Sequence, residues 1–202
     1  MVLTIITLII AYFLGAIPTA YIFAKRFSGI NIMEHGSGNV GTTNIFRVLG
    51  WKVGAPVFII DMGKGFLAAW LGYLAGGTTV AVFAALIAVI AHTFSVFINF
   101  KGGKGVATGA GTLLFLCPKV FICVIIMWFV VSLVSGYISL GSIVASLSAI
   151  IFVIAFDYKL AICVFVTIAA LYVVYKHSSN IKRLINGTEN KINWLKKFKR
   201  NN

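Results

Sequence analysis

The chain alternates long apolar runs with short polar segments. Apolar positions continue almost unbroken through 2–23, where Pro18 predicts a kink, and then through 53–74 and 79–97, which Gly76-Gly77 separates. A further apolar block, 112–175, is broken at Pro118-Lys119, at 135–142 and at 157–159. A hydrocarbon core about 30 Å thick takes roughly 20 helical residues to cross, and several of these runs are long enough. They lack the alternation of a barrel strand, so the pattern predicts membrane helices and an all-α bundle. No internal repeat is visible, and one membrane domain, 1–202, accounts for the whole chain.

Polar segments remain at 25–52, at 99–111 and in the tail, 176–202. The first holds Lys25, Arg26, Arg47 and Lys52; the tail holds Lys176, Lys182, Arg183, Lys191 and four further basic residues. The positive-inside rule puts both on the cytoplasmic side. The number of spans is then odd. Seven are predicted, with 108–117 a short segment ending at Pro118, and five is the alternative. No basic region precedes the first apolar run, so it reads as a retained helix with the N-terminus outside rather than a cleaved signal. Within 190–202, Ile192, Leu195 and Phe198 recur at helical spacing among lysines, as in a helix lying in the interface.

Composition agrees with this picture. Apolar residues make up 60% and charged residues 10%, with a mean hydropathy of +1.03; soluble domains carry roughly 25% charged residues. The net charge of +13 would suggest nucleic acid in a soluble protein. Here basic loops on one membrane face explain it, and motifs for stacking bases are absent. Cys117, Cys123 and Cys163 lie in apolar stretches without metal-ligand spacing, and the histidines and acids are scattered, so no metal site is predicted.

Candidate chemistry lies in the polar segments. In the first, Gly36, Gly38 and Gly41 let backbone N–H groups converge, while Ser37, Thr42, Thr43, Asn39 and Asn44 add donors. Such a loop suits a phosphate oxyanion, and Arg47 can add a bidentate contact. The blander reading is a flexible connection between helices. Gly36-x-Gly38-x-x-Gly41 matches the dinucleotide fingerprint, but it follows a membrane helix instead of a strand. The second segment, Lys101, Gly102, Gly103, Lys104, Gly105 and Thr108, repeats the logic, and its blander reading is a positive-inside loop. Ser139 and Ser142, at the 135–142 break, are candidate donors on the same face. His177, Asn180 and Arg183 share a helical face at the end of the last apolar run. Asp61 and Lys64, three apart inside a helix, fit an internal ion pair or a functional role equally, and His92 reads as a buried, hydrogen-bonded imidazole.

Three motifs in this order, 36–47, 101–108 and 177–189, resemble the bacterial acyl-phosphate glycerol-3-phosphate acyltransferases, the PlsY family. Asp61-x-x-Lys64-Gly65 and His92 also match its pattern, and the likeness covers essentially the whole chain. The resemblance implies a seven-helix enzyme of the bacterial inner membrane, with its site at the cytoplasmic face and no cofactor. Its substrates would be a fatty acyl-phosphate and glycerol 3-phosphate, its product 1-acylglycerol 3-phosphate for phospholipid synthesis. Its functional partner would be an acyl-carrier-protein transacylase that makes the acyl-phosphate. By motif position, Ser37, Arg47, His177 and Asn180 would be catalytic, 101–108 would bind glycerol phosphate, and Glu189 would be structural.

Acyl transfer to a hydroxyl needs a polarised carbonyl and a stabilised oxyanion. A His-x4-Asp dyad is absent, because His35, His92 and His177 are followed five positions on by Val40, Phe97 and Lys182. Either His177 is the general base or a substrate phosphate takes the proton; the scarcity of carboxylates to orient a histidine favours the second. Ser37 has no base placed to activate it and reads as a hydrogen-bond donor. A transporter for a phosphorylated solute is the alternative function, but midplane broken helices and inverted repeats are missing. A non-catalytic scaffold leaves the glycine-rich donor clusters without a purpose.

Overall fold

A computed structural model describes residues 1–191, in which the regular elements are all helices. The expected interfacial helix bearing Ile192, Leu195 and Phe198 lies outside these residues. In chain order the helices are α1 (Val2–Ala16), α2 (Thr19–Ser28), α3 (Thr42–Val48), α4 (Trp51–Thr93), α5 (Val106–Leu116), α6 (Pro118–Ser135), α7 (Ile138–Ala155), α8 (Leu160–Lys176) and α9 (Ser178–Ile185). By length and composition three are able to cross a membrane, or up to five when each bent pair, α1 with α2 and α8 with α9, counts as one span.

The long helix α4 is a hairpin. Its backbone leaves helical geometry at Gly76 and at Gly77, where φ is +69°. A methyl added to Gly72 would lie 2.8 Å from the Ala81 Cα, whereas those residues would stand about 13.5 Å apart along a straight helix. The arms, 51–75 and 78–93, therefore run antiparallel, as the two glycines predicted. The second arm stops at Thr93 rather than 97, and Val96–Ile98 forms a 3-10 turn.

The kink expected at Pro18 is a full break, with α1 and α2 meeting at 40°. The residue before a proline is pushed out of the helical region, and Ile17 has ψ 115°, so the carbonyls of Ala16 and Ile17 lose their helical donors. In an apolar medium each such group needs another partner. Lys64 Nζ donates to the Ile17 carbonyl (2.9 Å), and Ser95 Oγ donates to that of Ala16. The same ammonium lies 2.8 Å from Asp61 Oδ1, and His92 Nδ1 is 3.8 Å from that oxygen. Asp61, Lys64 and His92 are all buried, so one ion pair links the α1–α2 break to both arms of α4.

Short α5 packs backbone to backbone on the first arm. A methyl on Gly65 would overlap the Thr108 carbonyl, and one on Gly111 that of Met62. Small residues permit this close approach where lipid gives helices no hydrophobic reason to associate. Two boundaries differ from expectation. The polar segment 99–111 is already helical from Val106, and Ser139 and Ser142 lie inside α7 because the break closes at Tyr137 and α7 begins at Ile138.

Replacing Lys64 with methionine takes the ammonium from buried Asp61 and leaves the Ile17 carbonyl with the Thr19 N–H (3.0 Å) as its one remaining donor. Breaking a buried pair from one side costs about 3–5 kcal/mol. Thermal unfolding in detergent should show a large drop for Lys64→Met, and Asp61→Leu/Lys64→Met should recover much of it. Unchanged unfolding of Lys64→Met would show that the pair does not hold the break.

Candidate active site

The first polar segment folds around Asn44. This side chain is almost fully buried on α3, with 1% exposure. Its Nδ2 donates to the carbonyls of His35 (2.9 Å) and Asn39 (3.1 Å), with a longer contact to Ile32 (3.4 Å). Its Oδ1 accepts from the Ser37 N–H (2.9 Å) and Arg47 Nη1 (3.4 Å). One amide thus brings Ser37 and Arg47 to a common point. It has no donor left for a ligand, which corrects its expected part in phosphate binding.

The glycines of this loop are likewise engaged internally. The Gly38 N–H donates to the His35 carbonyl and the Gly41 N–H to that of Asn39, each at 3.0 Å. Gly36 lies against Asn44 Oδ1, and a methyl there would overlap it. The converging N–H groups expected here therefore close the loop on itself. Exposed Ser37 and half-buried Asn39, Thr43 and Arg47 line what remains open.

In the second segment, Gly102 and Gly103 donate their N–H groups to the carbonyls of Thr93 and His92, each at 3.1 Å. These amides cap α4 rather than face a ligand, a second correction. Thr108 is fully buried in α5 and is not exposed to a ligand as expected. Lys101 is exposed at the loop's edge, and Gly105 begins α5 with φ +81°. Lys104 reaches inward to Asn180 Oδ1.

The third segment supplies the only carboxylate of the cluster among the described residues. α9 leaves α8 at 55°, and the chain then returns through Gly187, at φ +69°. This brings Glu189 back onto α9. Glu189 Oε1 accepts from Asn180 Nδ2 (2.8 Å) and Ser139 Oγ (3.0 Å), and Oε2 accepts from Arg183 Nε (2.7 Å). Ser139 thus joins through Glu189. Ser142 does not: its hydroxyl donates to Ile138 (3.0 Å) and accepts from Trp128 Nε1 (3.3 Å), so it packs α6 on α7. Asp61, Lys64 and His92 are buried in α4, with the His92 ring against Gly103 of the second loop.

Charge dominates the result. Burial raises the Glu189 carboxyl, but hydrogen bonds from Asn180, Arg183 and Ser139 outweigh it and hold the group below its ordinary value. Burial lowers Lys104 to about 8, and the charges of Arg183, Arg47 and Lys176 act in the same direction against Glu189. Four cations therefore act around one carboxylate, leaving a site that favours a multiply charged anion. Of these cations, Arg183 belongs to the face read from the sequence with His177 and Asn180, and Lys176 is an addition from the structure. The i, i+3, i+6 spacing marks Arg183 in the sequence, whereas nothing in the pattern marks Lys176 beyond its place in the basic tail.

His177 is buried at the end of α8. Its Nδ1 lies 2.7 Å from the Val173 carbonyl. A carbonyl only accepts, so Nδ1 carries the proton and Nε2 presents its lone pair. The ring is held by backbone rather than by a carboxylate.

A family model described as glycerol-3-phosphate acyltransferase matches residues 5–187. The chain belongs to this family. The glycerol-3-phosphate acyltransferase of Geobacillus kaustophilus is 43% identical over 192 residues, covering 95% of this chain and 98% of its own. That of Bacillus subtilis is 41% identical, over 93% and 97% of the two chains. Among solved structures, PlsY (YgiH), an integral membrane glycerol 3-phosphate acyltransferase, matches in its glycerol 3-phosphate form. It has a TM-score of 0.92 at 36% identity, over 96% of this chain and 98% of that one. Its lysophosphatidic acid form matches with a TM-score of 0.89 at the same 36% identity, over 95% and 96%. This member is thus an all-helical membrane acyltransferase whose polar cluster coincides with the three motifs.

Asn44→Ala should release the 31–41 loop without touching the helices that surround it. Hydrogen exchange at the Ser37 amide is expected to accelerate at least tenfold, since its acceptor is lost. Wild-type protection there would remove Asn44 as the organiser of this loop.

Proposed function

We propose that the protein transfers a fatty acyl group from an acyl-phosphate to the 1-hydroxyl of sn-glycerol 3-phosphate. The observation that carries this reading is the convergence of Arg47, Lys104, Arg183 and Lys176 on a site with one carboxylate, within a family of glycerol-3-phosphate acyltransferases. Both substrates bring a phosphate to that site. Arg47 and Ser37 hold the donor's phosphate or carbonyl oxygen, and Lys104 holds the phosphate of the acceptor. The hydroxyl oxygen attacks the acyl carbon, the bond from that carbon to the phosphate oxygen breaks, and the departing phosphate takes the hydroxyl proton. His177 Nε2 accepts a hydrogen bond from the hydroxyl and orients it. Its backbone-held ring supports this positioning role.

The membrane arrangement follows the same reading. Counting the arms of α4 separately and adding α5 gives seven segments, with the N-terminus outside. Lys119 and Lys159 then face outward, whereas Lys25, Arg26, Arg47, Lys52, Lys101, Lys104 and Lys176 share the site's side. That bias supports a cytoplasmic site in the bacterial inner membrane, supplied with acyl-phosphate by an acyl-carrier-protein transacylase. The fatty tail stays in the bilayer. The half-open apolar groove lined by Val106, Trp128, Phe165 and Val173 measures about 80 Å³, too small to enclose a whole fatty chain.

Purified protein given labelled glycerol 3-phosphate should turn over with palmitoyl-phosphate and not with palmitoyl-CoA. Comparable rates with the thioester would overturn the donor assignment, and no acylation with either would overturn the reaction.

Lys104 contributes to phosphate binding only as the ammonium. Because its value is lowered to about 8, raising the pH through 8 removes a positive charge from the free enzyme. A phosphate monoester has lost its second proton well below this, near pH 6. The value of kcat/KM for glycerol 3-phosphate should therefore fall above about pH 8, and Lys104→Arg should move that fall to higher pH. A flat profile to pH 9.5 would exclude Lys104 from binding.

A further inference from the structure

The loop that carries Lys104 is held by the last two residues of α4. Gly102 and Gly103 cap the carbonyls of Thr93 and His92, which a helix end would otherwise leave unpaired. The approach is close enough to exclude any side chain. A methyl on Gly102 would overlap the His92 carbonyl, and one on Gly103 would overlap His92 Nε2 and lie 2.6 Å from the Val40 carbonyl. Gly103 thus rests on the His92 ring, and Lys104 leaves this platform toward Asn180.

Both residues of the platform are themselves pinned from other helices. The His92 ring faces Asp61 on the first arm, with Nδ1 at 3.8 Å from Oδ1. Thr93, 1% exposed, donates its one hydroxyl proton to the Ile90 carbonyl (2.9 Å). The Thr93 oxygen is also hydrogen-bonded to the Tyr172 hydroxyl of α8. Since the Thr93 proton is already committed, Tyr172 is the donor. One turn further along α8 is Lys176, whose ammonium stacks 4.7 Å over the Phe94 ring. Contacts from α8 and from the first arm of α4 therefore meet at residues 92–94.

We infer that Tyr172 and His92 are positioning residues for glycerol 3-phosphate, acting through Lys104. This rests on the reading of Lys104 as a phosphate ligand given above. Tyr172 touches neither Lys104 nor Asn180 in any hydrogen bond of the described residues, so its effect on binding passes through Thr93 and Gly102. His92 acts through Gly103 in the same way. The two pins fix where the ammonium stands relative to Arg47 and Asn180. A loop free to shift by an ångström would hold the same charge at a poorer distance from the phosphate.

Tyr172→Phe is the mild test, because it removes one hydroxyl and leaves Thr93 bonded to Ile90. Glycerol 3-phosphate binding to detergent-solubilised protein, measured by calorimetry, should weaken about 3–10-fold, in line with loss of one hydrogen bond. Unfolding temperature should stay near wild type. On a Lys104→Gln background the same substitution should change binding less than twofold, since the two positions then fail to add. An unchanged Kd in Tyr172→Phe, or an equal loss with and without Lys104, would overturn the inference. Wild-type protein that does not bind glycerol 3-phosphate would instead defeat the functional reading. Hydrogen exchange decides the clamp itself in that case: protection of the Gly102 and Gly103 amides should fall in Tyr172→Phe and in His92→Ala. Retained protection in both variants would sink it.

Discussion

A backbone carbonyl released from a helix inside a membrane has no water to turn to, and this constraint shapes both the packing and the site. Two interruptions of the bundle are answered by groups from other segments. The break before Pro18 takes Lys64 and Ser95; the end of α4 takes Gly102 and Gly103. Such answers tie distant parts of the chain together: residue 17 to 64, 16 to 95, and 92 to 103. Lys64 needs Asp61 to remain charged where it is buried, so the ion pair is a consequence of the broken helix. Functional loops are thereby attached to the bundle at the places where its helices stop.

The same economy of polar groups explains the charge of the site. Glu189 accepts hydrogen bonds from α7 and α9 through Ser139, Asn180 and Arg183, which engages both of its oxygens. It is occupied in holding the cluster together and compensates only part of the positive charge around it. Asn180 stands between Glu189 and Lys104, donating to one and accepting from the other. An amide suits this place because it offers both functions without adding charge. The excess cation is left for the ligand.

Much of the architecture was legible because it follows from solvent. Apolar runs, the Gly76-Gly77 reversal and the Pro18 interruption are local signals of element and break. The three polar motifs were likewise visible as the places where a lipid-embedded chain keeps donors. Their internal assignments were not. Glycines and amides read as ligand donors because sequence lists donors but not their partners. Asn44, Gly102 and Gly103 have partners from residues 12, 9 and 11 positions away at the furthest, and those contacts exist only once the helices end where they do. Ser142 misled for a related reason: the helix starts before it and turns its hydroxyl toward Trp128. Tyr172 sits in an apolar run, where an aromatic residue is ordinary, and only its buried partner distinguishes it.

For the proposed reaction, the weak orientation of His177 becomes intelligible. A histidine acting as a strong base ordinarily has a carboxylate behind it to stabilise the imidazolium. Here a backbone carbonyl fixes the tautomer and supplies no charge, while burial and the charge of Lys104 disfavour a protonated ring. Such an imidazole suits accepting a hydrogen bond better than retaining a proton. An acyl-phosphate brings a leaving group that is already acidic and whose oxygens can receive the proton. The remaining demand on the protein is to hold two anionic phosphates close together, and mutual repulsion is the main obstacle to that. A site in which fixed cations outnumber the carboxylate addresses this obstacle directly, because its charges are in place before either substrate arrives.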